Sequence, residues 1–341
     1  LESIGVVKKI TDILDEGGVQ YTTYLDVIPN PTISVVEEAT ALYQKNNCKS
    51  IIALGGGGPM DVSKAVGVLV QFGGSIKDYV GVGNVPGPIV PMLAIPTTAG
   101  TGSEVTASSV ITDAETSFKF SVISHELLPK YAVLDPELIM TAPASIAAAC
   151  GVDALIHALE AYISTDANLF TDAFAEKAME LIGKNIRRFV ANRKDEEAAC
   201  AMMAGSTFAG IAFAWAKLGD IHAMSHPVSG FFHVAHGVAN SVLMPTVIEF
   251  NALADHGRYE KIYNYIREGT APCHDFKPEM LVEEVKKLNR QLGIPENLRA
   301  VGVTEDKIPA MAADAMKAAN VLVNPRATTL QDIIDLYHKA F

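Results

Sequence analysis

The chain has 341 residues, of which 49% are hydrophobic and 19% are charged, and its formal net charge is −12. This composition is typical of a globular protein, excludes a disordered chain, and allows two domains with a sizeable core. The acidic balance argues against nucleic acid as a partner. The 4 cysteines are widely spaced and form no CxxC pair, which favours a reducing cytoplasm over a disulfide framework.

The first part of the chain alternates helix-like and strand-like segments. The predicted elements are, in chain order, a helix over 3–17, a strand over 21–28, a helix over 33–46, a strand over 50–54, a glycine loop over 55–61, a helix that ends near Val70, and a strand over 89–96. Short apolar strands that alternate with helices indicate a parallel sheet covered on both faces.

Residues 112–135 predict further strands and turns, after which the character of the sequence changes. Alanine-rich helical periodicity extends to the end of the chain, so we predict an α/β domain over 1–141 and an all-helical domain over 142–341. The uncharged segment 198–216 is long enough to span a bilayer. Its small and polar residues favour the packed centre of a soluble domain, so no membrane is predicted as a partner.

Four consecutive glycines, Gly55 to Gly58, lie between a buried strand and a helix. Glycines let a backbone approach a ligand closely, and the helix that follows offers unpaired amides to a phosphate. The loop matches neither a P-loop nor the G-x-G-x-x-G fingerprint. A tight turn is the alternative, but it does not need four glycines, so the pattern favours pyrophosphate binding.

The segment PTTAGTGSEVT, residues 96–106, gathers hydroxyl groups and glycines where a predicted parallel strand ends. Ligands of open α/β sheets bind at the carboxyl ends of the strands. The hydroxyls and amides of this segment could hold a ribose or a nicotinamide carboxamide. A hydroxyl-rich turn that caps a helix explains the pattern equally well, and both interpretations stay open.

Asp153 and His157 are four residues apart in GVDALIHALEAY, so they share one face of a helix and could bind one metal ion together. Alone, the pair is explained as well by an aspartate near a helix N-terminus and a core histidine. A second segment holds His222, His226, His233 and His236 within fifteen residues. Burying several imidazoles needs several partners. Asp153 with three imidazoles (His157, His222, and His226 or His236) would suit Fe²⁺ or Zn²⁺.

Five segments, GGGGPMD, AIPTTAGTGSEVT, GVDALIHALEAY, HAMSHPVSG and AHGVAN, occur in this order. Together they strongly resemble the iron-containing (group III) alcohol dehydrogenases, over essentially the whole chain. The resemblance implies a dehydroquinate synthase-like fold: a Rossmann-like α/β nucleotide-binding domain with a parallel sheet, an all-α metal-binding domain, and an active site in the cleft between them. Family members carry an additional N-terminal strand whose aspartate contacts the adenosine ribose. We expect this first strand to be missing here, which leaves the choice between NAD and NADP open.

Carried over by position, the resemblance implies the metal ligands Asp153, His157, His222 and His236, and it assigns His226 to proton transfer as the catalytic residue. The cofactor-binding residues that it implies are Asn30, Gly56, Gly57, Gly58, Asp61, Thr97, Thr98, Thr101 and Lys119. Phe213 and Trp215 are expected in the substrate pocket, and packing of Trp215 in the core is the alternative. Three positions depart from the family pattern, since Gly58 replaces a serine, Ala235 a proline and Trp215 an asparagine.

The function that the resemblance implies is a metal-dependent, NAD(P)-linked alcohol dehydrogenase that interconverts small primary alcohols or diols and aldehydes by hydride transfer. The expected cofactors are Fe²⁺ or Zn²⁺ and NAD or NADP. The expected partners are a small alcohol or aldehyde and further copies of the chain, as a dimer or larger homo-oligomer in the cytoplasm. Two alternatives stay open: a metal-dependent hydrolase, and a truncated relic of the dehydrogenase fold without catalytic activity.

Overall fold

The structure is a computed structural model that describes residues 1–115, 118–269 and 273–341. These residues form two units, one of Leu1–Thr98 and Ser103–Ala142, the other of Ala99–Gly102 and Pro143–Phe341. The sequence analysis assigned 99–102 to the first domain. The segment contacts the second unit through its glycines: a Cβ added to Gly102, whose φ is +60°, would lie 2.6 Å from Gly210 Cα.

The first unit contains two small sheets and four helices among its described residues. Its elements are α1 Val6–Glu16, α2 Ile33–Lys45, β1 Ile51–Gly55, α3 Gly57–Phe72, β2 Gly81–Val82, β3 Met92–Pro96, β4 Ser108–Asp113, β5 Phe118–Ile123, β6 Tyr131–Ala132 and α4 Pro136–Met140. One sheet has the order β1-β3-β6 with parallel pairing throughout. In the other, β5 pairs in parallel with β2 and antiparallel with β4. The predicted parallel sheet is confirmed.

Helix α3 forms the centre of this unit because it is apolar on more than one side. Its residues Val62, Ala65 and Val66 join Ile111 and Phe120 in one buried cluster. Its first turn packs on the parallel sheet, where Met60 lies in a second cluster with residues of β1 and β3. This packing fixes the start of α3, and with it the glycine loop, at the carboxyl end of β1.

The predicted strand over residues 21–28 is wrong, since these residues have no regular secondary structure. No described strand pairs with the segment, and Tyr21, Leu25 and Ile28 are exposed. An alternating apolar pattern needs a neighbouring strand to supply ladder hydrogen bonds, and it specifies no strand without one. Of the strands and turns predicted over 112–135, residues 116 and 117 lie outside the described residues.

All regular secondary structure among the described residues of the second unit is helical, which confirms the predicted all-α region. Its helices are α5 Ala144–Ile163, α6 Leu169–Ala191, α7 Glu196–Ala216, α8 Asp220–Phe232, α9 His236–Asn251, α10 Arg258–Ile266, α11 Pro278–Gln291, α12 Ile308–Ala315 and α13 Leu330–Lys339. Helices α5 and α7 are long and apolar enough to span a membrane, but 89% and 56% of their apolar stretches are buried inside the protein. Burial of this extent is typical of core helices.

Two short non-helical segments, one before α8 and one after it, set the positions of the histidines at 222–236. Helix α7 ends at Ala216, and Lys217, with a φ of 62°, and Gly219 separate it from α8. Helix α8 ends at Phe232. The next residue, His233, has a left-handed φ of 55°, and α9 begins at His236. Trp215 and His222 therefore lie on different helices, and the spacing of seven residues does not put them on one helical face.

Candidate functional site

Helix α5 presents three polar side chains on one face of an otherwise apolar helix. Asp153, His157 and Glu160 lie at positions i, i+4 and i+7, the spacing of a single helical stripe. All three are at least 96% buried. Buried polar groups of this kind need partners to offset the loss of hydration, and the neighbouring helices provide them.

Helices α8 and α9 bring two further imidazoles to this stripe. His222 Nε2 lies 3.8 Å and His236 Nε2 3.9 Å from Asp153 Oδ1. One ligand atom from each of Asp153, His157 and His222 lies within 4.8 Å of the others, and the rings of His157 and His222 stack with centroids 4.7 Å apart. The structure thus brings all four predicted metal ligands together.

Two of these imidazoles are oriented through their Nδ1 atoms. His157 Nδ1 lies 3.2 Å from the carbonyl oxygen of Gly100, and His222 Nδ1 lies 2.6 Å from Glu160 Oε2. A carbonyl oxygen can only accept, so His157 donates from Nδ1. In this tautomer the lone pair of the His157 ring is on Nε2, the nitrogen available to a metal ion.

The charges of the cluster suit a cation. Burial acts to raise the pKa of Asp153, but the imidazoles of His157, His236 and His222 outweigh it and hold this pKa below its ordinary value. Burial lowers the pKa of His222 well below its ordinary value, and His157 adds to this effect. An ionised carboxylate and a neutral imidazole are the protonation states that metal binding requires.

The contacts of Asn240, four residues after His236 on α9, show whether the predicted ligands fit a metal ion. Its Nδ2 lies 2.6 Å from Asp153 Oδ1, 3.0 Å from His222 Nε2 and 3.1 Å from His236 Nε2. These three neighbours are an oxygen and two ring nitrogens, atoms of the kinds that bind metal ions. Its own Oδ1 is buried and accepts no hydrogen bond from the described residues. The carboxylate and the imidazole nitrogens around this amide, together with its orphaned Oδ1, fit a divalent cation such as Fe²⁺ or Zn²⁺.

The remaining predicted residues of this unit lie at different distances from the cluster. His226 stacks on His236 with ring centroids 5.4 Å apart. Phe213 contacts the ring of His157 at a centroid distance of 4.5 Å. Trp215 is 57% exposed, so the alternative that it packs in the core is wrong.

In the first unit, close contacts explain two of the four consecutive glycines. A Cβ on Gly55, whose φ is +150°, would lie 2.5 Å from Pro59 Cγ, and a Cβ on Gly56 would lie 3.0 Å from Thr98 Oγ1. A Cβ on Gly58 would meet no atom nearer than 3.6 Å. The departure from serine at position 58 therefore has no steric cause. Helix α3 begins at Gly57, so its first amides lie in the loop, as anion binding requires.

Three other predicted cofactor residues of the first unit, Asn30, Asp61 and Lys119, interact through a hydrogen bond and an electrostatic effect. Asn30 has a left-handed φ of 55°, and its Oδ1 accepts a hydrogen bond of 2.8 Å from Lys119 Nζ. Burial lowers the pKa of Lys119, and the Asp61 carboxylate opposes this shift. Burial also raises the pKa of Asp61 to about 7, against the effect of Lys64. Thr97 donates its backbone N–H to Gly55 O at 3.0 Å, whereas Thr101 lies on the segment that belongs to the second unit.

Lys64, fully buried on α3, contacts the end of the segment 96–106 and the start of β4. Its Nζ contacts three backbone carbonyl oxygens, those of Ser103 at 2.8 Å, Thr106 at 2.9 Å and Ser108 at 2.9 Å. The hydroxyls of Ser103 and Thr106 lie 3.0 and 3.3 Å away. Burial lowers the pKa of Lys64 to about 8, and nearby Asp61 and Glu104 oppose this shift. The side chain thus acts as a buried cation for a group of oxygens.

The sequence analysis missed three of these residues, Glu160, Asn240 and Lys64. Each is a polar residue in a mostly buried helix, three or four positions after a residue that was assigned to the site: His157, His236 and Asp61. That spacing places each pair on one helical face. The periodicity that identified Asp153 and His157 would have found them too, had it been continued along each helix.

Comparison with known proteins extends over both units. The family described as iron-containing alcohol dehydrogenase matches residues 1–136, and the C-terminal part of the Fe-containing alcohol dehydrogenase family matches residues 147–341. The chain is similar to lactaldehyde reductase of Escherichia coli (strain K12), with 40% identity over 347 residues that cover 100% of this chain and 90% of the relative. It is 37% identical to NAD-dependent methanol dehydrogenase of Bacillus methanolicus, with coverage of 100% and 90%.

A solved structure gives the same result for the fold. The crystal structure of a 1,3-propanediol oxidoreductase matches with a TM-score of 0.95 and 38% sequence identity, covering 99% of this chain and 88% of that one. The predicted fold class and the predicted enzyme class, an oxidoreductase that acts on alcohols, are confirmed with the resemblance. The chain belongs to the iron-containing alcohol dehydrogenase family.

Proposed function

We propose that this chain is a metal-dependent, NAD(P)-linked dehydrogenase that interconverts small primary alcohols or diols and aldehydes. One observation carries the proposal within the family: one ligand atom from each of Asp153, His157 and His222 lies within 4.8 Å of the others, and His236 Nε2 lies 3.9 Å from Asp153 Oδ1. A carboxylate surrounded by imidazoles is a donor set that binds Fe²⁺ or Zn²⁺.

In this proposal Asp153, His157, His222 and His236 hold Fe²⁺ or Zn²⁺. NAD or NADP binds the glycine loop, from Gly56 to Asp61, together with Asn30, Thr97, Thr98, Thr101 and Lys119. When bound, the metal supplies a Lewis acid for the substrate oxygen, and the nicotinamide accepts or donates the hydride. The name of the Bacillus methanolicus relative, an NAD-dependent enzyme, supports this cofactor.

The chain's own residues have the remaining tasks. Oxidation of an alcohol releases one hydroxyl proton and one hydride, and we assign the proton to His226, which contacts the ring of His236. Phe213, with its ring against His157, would keep water from that side of the cluster. Trp215 is assigned to the substrate pocket because no core position accounts for it.

The proposal extends to the organisation of the protein. We assign nucleotide binding to residues 1–141 and metal binding to 142–341, and we infer a cytoplasmic homo-oligomer, a dimer or larger. Large exposed apolar residues, Leu169 at 90% and Leu253 and Leu322 at 82% each, support self-association. Light scattering after size-exclusion chromatography tests the assembly, and a monomer at micromolar concentration would contradict it.

The central experiment combines metal analysis with cofactor oxidation. Protein purified without oxygen is stripped, reloaded with Fe²⁺ or Zn²⁺, and mixed with NADH or NADPH and a panel of short aldehydes. We expect about one metal ion per chain and metal-dependent oxidation of the reduced cofactor. The His157→Ala variant should lose both, whereas His256→Ala, at an exposed histidine outside the cluster, should keep both.

Other outcomes separate the alternatives. Metal binding with ester or phosphate hydrolysis and without cofactor oxidation would support the hydrolase. Folded protein that binds metal but neither reduced cofactor would support the non-catalytic relic. Equal metal content in the His157→Ala variant and the wild type would remove His157 from the ligand set.

A further inference from the structure

Glu160 is the third polar residue of the stripe on α5, and neither the predicted site nor the proposed ligand set gives it a task. It is 2% exposed. A carboxylate buried this deeply loses most of its hydration, so the structure must supply donors in return. The identity of those donors indicates what the residue does.

The donors come from the start of α8. Glu160 Oε1 accepts the backbone N–H of Ile221 at 2.7 Å, and the carboxylate also accepts the N–H of Gly219. Its other oxygen, Oε2, lies 2.6 Å from His222 Nδ1. A Cβ on Gly219 would lie 3.2 Å from Glu160 Oε1, so the absence of a side chain allows this approach. One carboxylate thus serves both the unpaired N–H groups of a helix start and the side chain of a proposed ligand.

The contact with His222 has a chemical consequence. Burial raises the pKa of Glu160 to about 7, and the hydrogen bonds from the backbone of Ile221 and Gly219 oppose this shift. When the carboxylate is ionised it has no proton to donate, so the proton of the neutral His222 ring is on Nδ1 and the lone pair is on Nε2. His222 Nε2 is the atom that faces Asp153 Oδ1 and Asn240. His157 is oriented differently, by the uncharged carbonyl of Gly100 at the longer distance of 3.2 Å. Of these two imidazoles, only His222 is held by a charged acceptor.

We propose that Glu160 is a positioning residue of the metal centre, which fixes the tautomer of His222 and ties the α5 stripe to the first turn of α8. The assignment rests on the metal-dependent function proposed above. It differs from a purely structural role, in which Glu160 only satisfies the N–H groups of Gly219 and Ile221. The two roles separate when the carboxylate is replaced by an amide of the same shape.

The test is the Glu160→Gln variant of the full chain. A glutamine keeps one acceptor oxygen for Ile221, but its NH₂ group then faces His222 Nδ1, which must accept and leave the proton on Nε2. We expect the affinity for Zn²⁺, measured by competition with a chromophoric chelator, to fall about 10–100-fold. Nitrogen-15 NMR of labelled histidines in the metal-free protein should show His222 change from the Nδ1–H to the Nε2–H tautomer.

A matched variant controls for the loss of charge. Glu176→Gln removes another carboxylate with several donors, among them Tyr162, Lys261 and Tyr265, and it should change neither Zn²⁺ affinity nor the tautomer. If Glu160→Gln lowers the melting temperature while affinity and tautomer stay those of the wild type, the role is structural and the assignment is overturned. The same holds if affinity falls with the tautomer unchanged.

The outcome for Glu160 is separable from the outcome for the reaction. Wild-type protein that binds Zn²⁺ but oxidises no NADH would contradict the dehydrogenase and leave the positioning role to the affinity and NMR data. An active wild type, with a Glu160→Gln variant of equal affinity and unchanged tautomer, would contradict the positioning role alone. Wild-type protein that binds no divalent metal would contradict both.

Discussion

Each unit contains a buried ionisable side chain on a helix that holds a neighbouring backbone segment, and the two side chains are of opposite charge type. Lys64 on α3 gathers oxygens of residues 103–108, three of them backbone carbonyls. Glu160 on α5 gathers N–H groups of residues 219–222, one of them in the ring of His222. The cation therefore determines the path of a backbone, whereas the anion also determines the chemical state of a side chain. A buried charge next to a loop stabilises a conformation, and it acts on chemistry only where a reactive group is among its partners.

The metal cluster has the largest expected effect, because it is where the second unit differs most from the first. His236→Ala removes one of the atoms around Asn240 Nδ2, so turnover should fall to background and bound metal should decrease sharply. The stability of the metal-free protein should change little, because the side chain of His236 is 32% exposed. Elemental analysis, steady-state kinetics and a thermal melt measure the three quantities. Full activity with unchanged metal content would remove His236 from the site.

His226 tests whether two stacked imidazoles have different tasks. His226→Ala should keep its metal and lose about 10²–10⁴-fold in rate, the usual contribution of a general acid or base. Added imidazole should restore part of the rate, because it replaces the lost group without altering the ligands. The matched comparison is His236→Ala. Added imidazole should not restore the rate of this variant, because the variant has lost its metal. If His226→Ala loses its metal together with its activity, the two roles are reversed.

Lys64 tests the other half of the comparison. Lys64→Met leaves the carbonyls of Ser103, Thr106 and Ser108 without their donor and Asp61 without its nearest cation, so the free energy of unfolding should fall by about 3–5 kcal/mol. Zn²⁺ affinity should not change, because none of these oxygens belongs to the metal cluster. The control is Lys8→Met at an exposed pair with Asp12, which should have little effect on stability. Chemical denaturation in urea measures both variants, and equal stability of the two would contradict the role of Lys64.

Most helices and the buried strands could be predicted because their patterns are local. The alternation of strands and helices located β1, α3 and β3, and the periodicity of the alanine-rich region located the second unit. The segment 21–28 failed because pairing depends on a neighbouring strand, which a local pattern does not contain. The contact of Gly102 with Gly210 was not accessible for a similar reason, since it joins parts of the chain that are far apart in sequence.

The site follows the same rule. Asp153 and His157 could be found from helical spacing alone, but the choice between His226 and His236 needed the family resemblance. Two facts were not accessible from the sequence: the hydrogen bond between His222 and Glu160, and the position of Asn240 among Asp153, His222 and His236. Both depend on how α8 and α9 pack against α5.

Trp215 has the smallest expected effect on stability and tests how far the metal cluster's surroundings extend. Because the residue is 57% exposed, Trp215→Ala should change the free energy of unfolding by less than about 1 kcal/mol, well below the roughly 3–5 kcal/mol of a core aromatic. If Trp215 lines the pocket, its removal should shift kcat/KM toward longer aldehydes, by at most roughly 1–3 kcal/mol per methylene. Phe213→Ala is the matched aromatic variant. Because Phe213 contacts His157, this substitution should lower the rate for every aldehyde. A series from propanal to hexanal decides: an unaltered chain-length preference in Trp215→Ala would place this side chain outside the pocket.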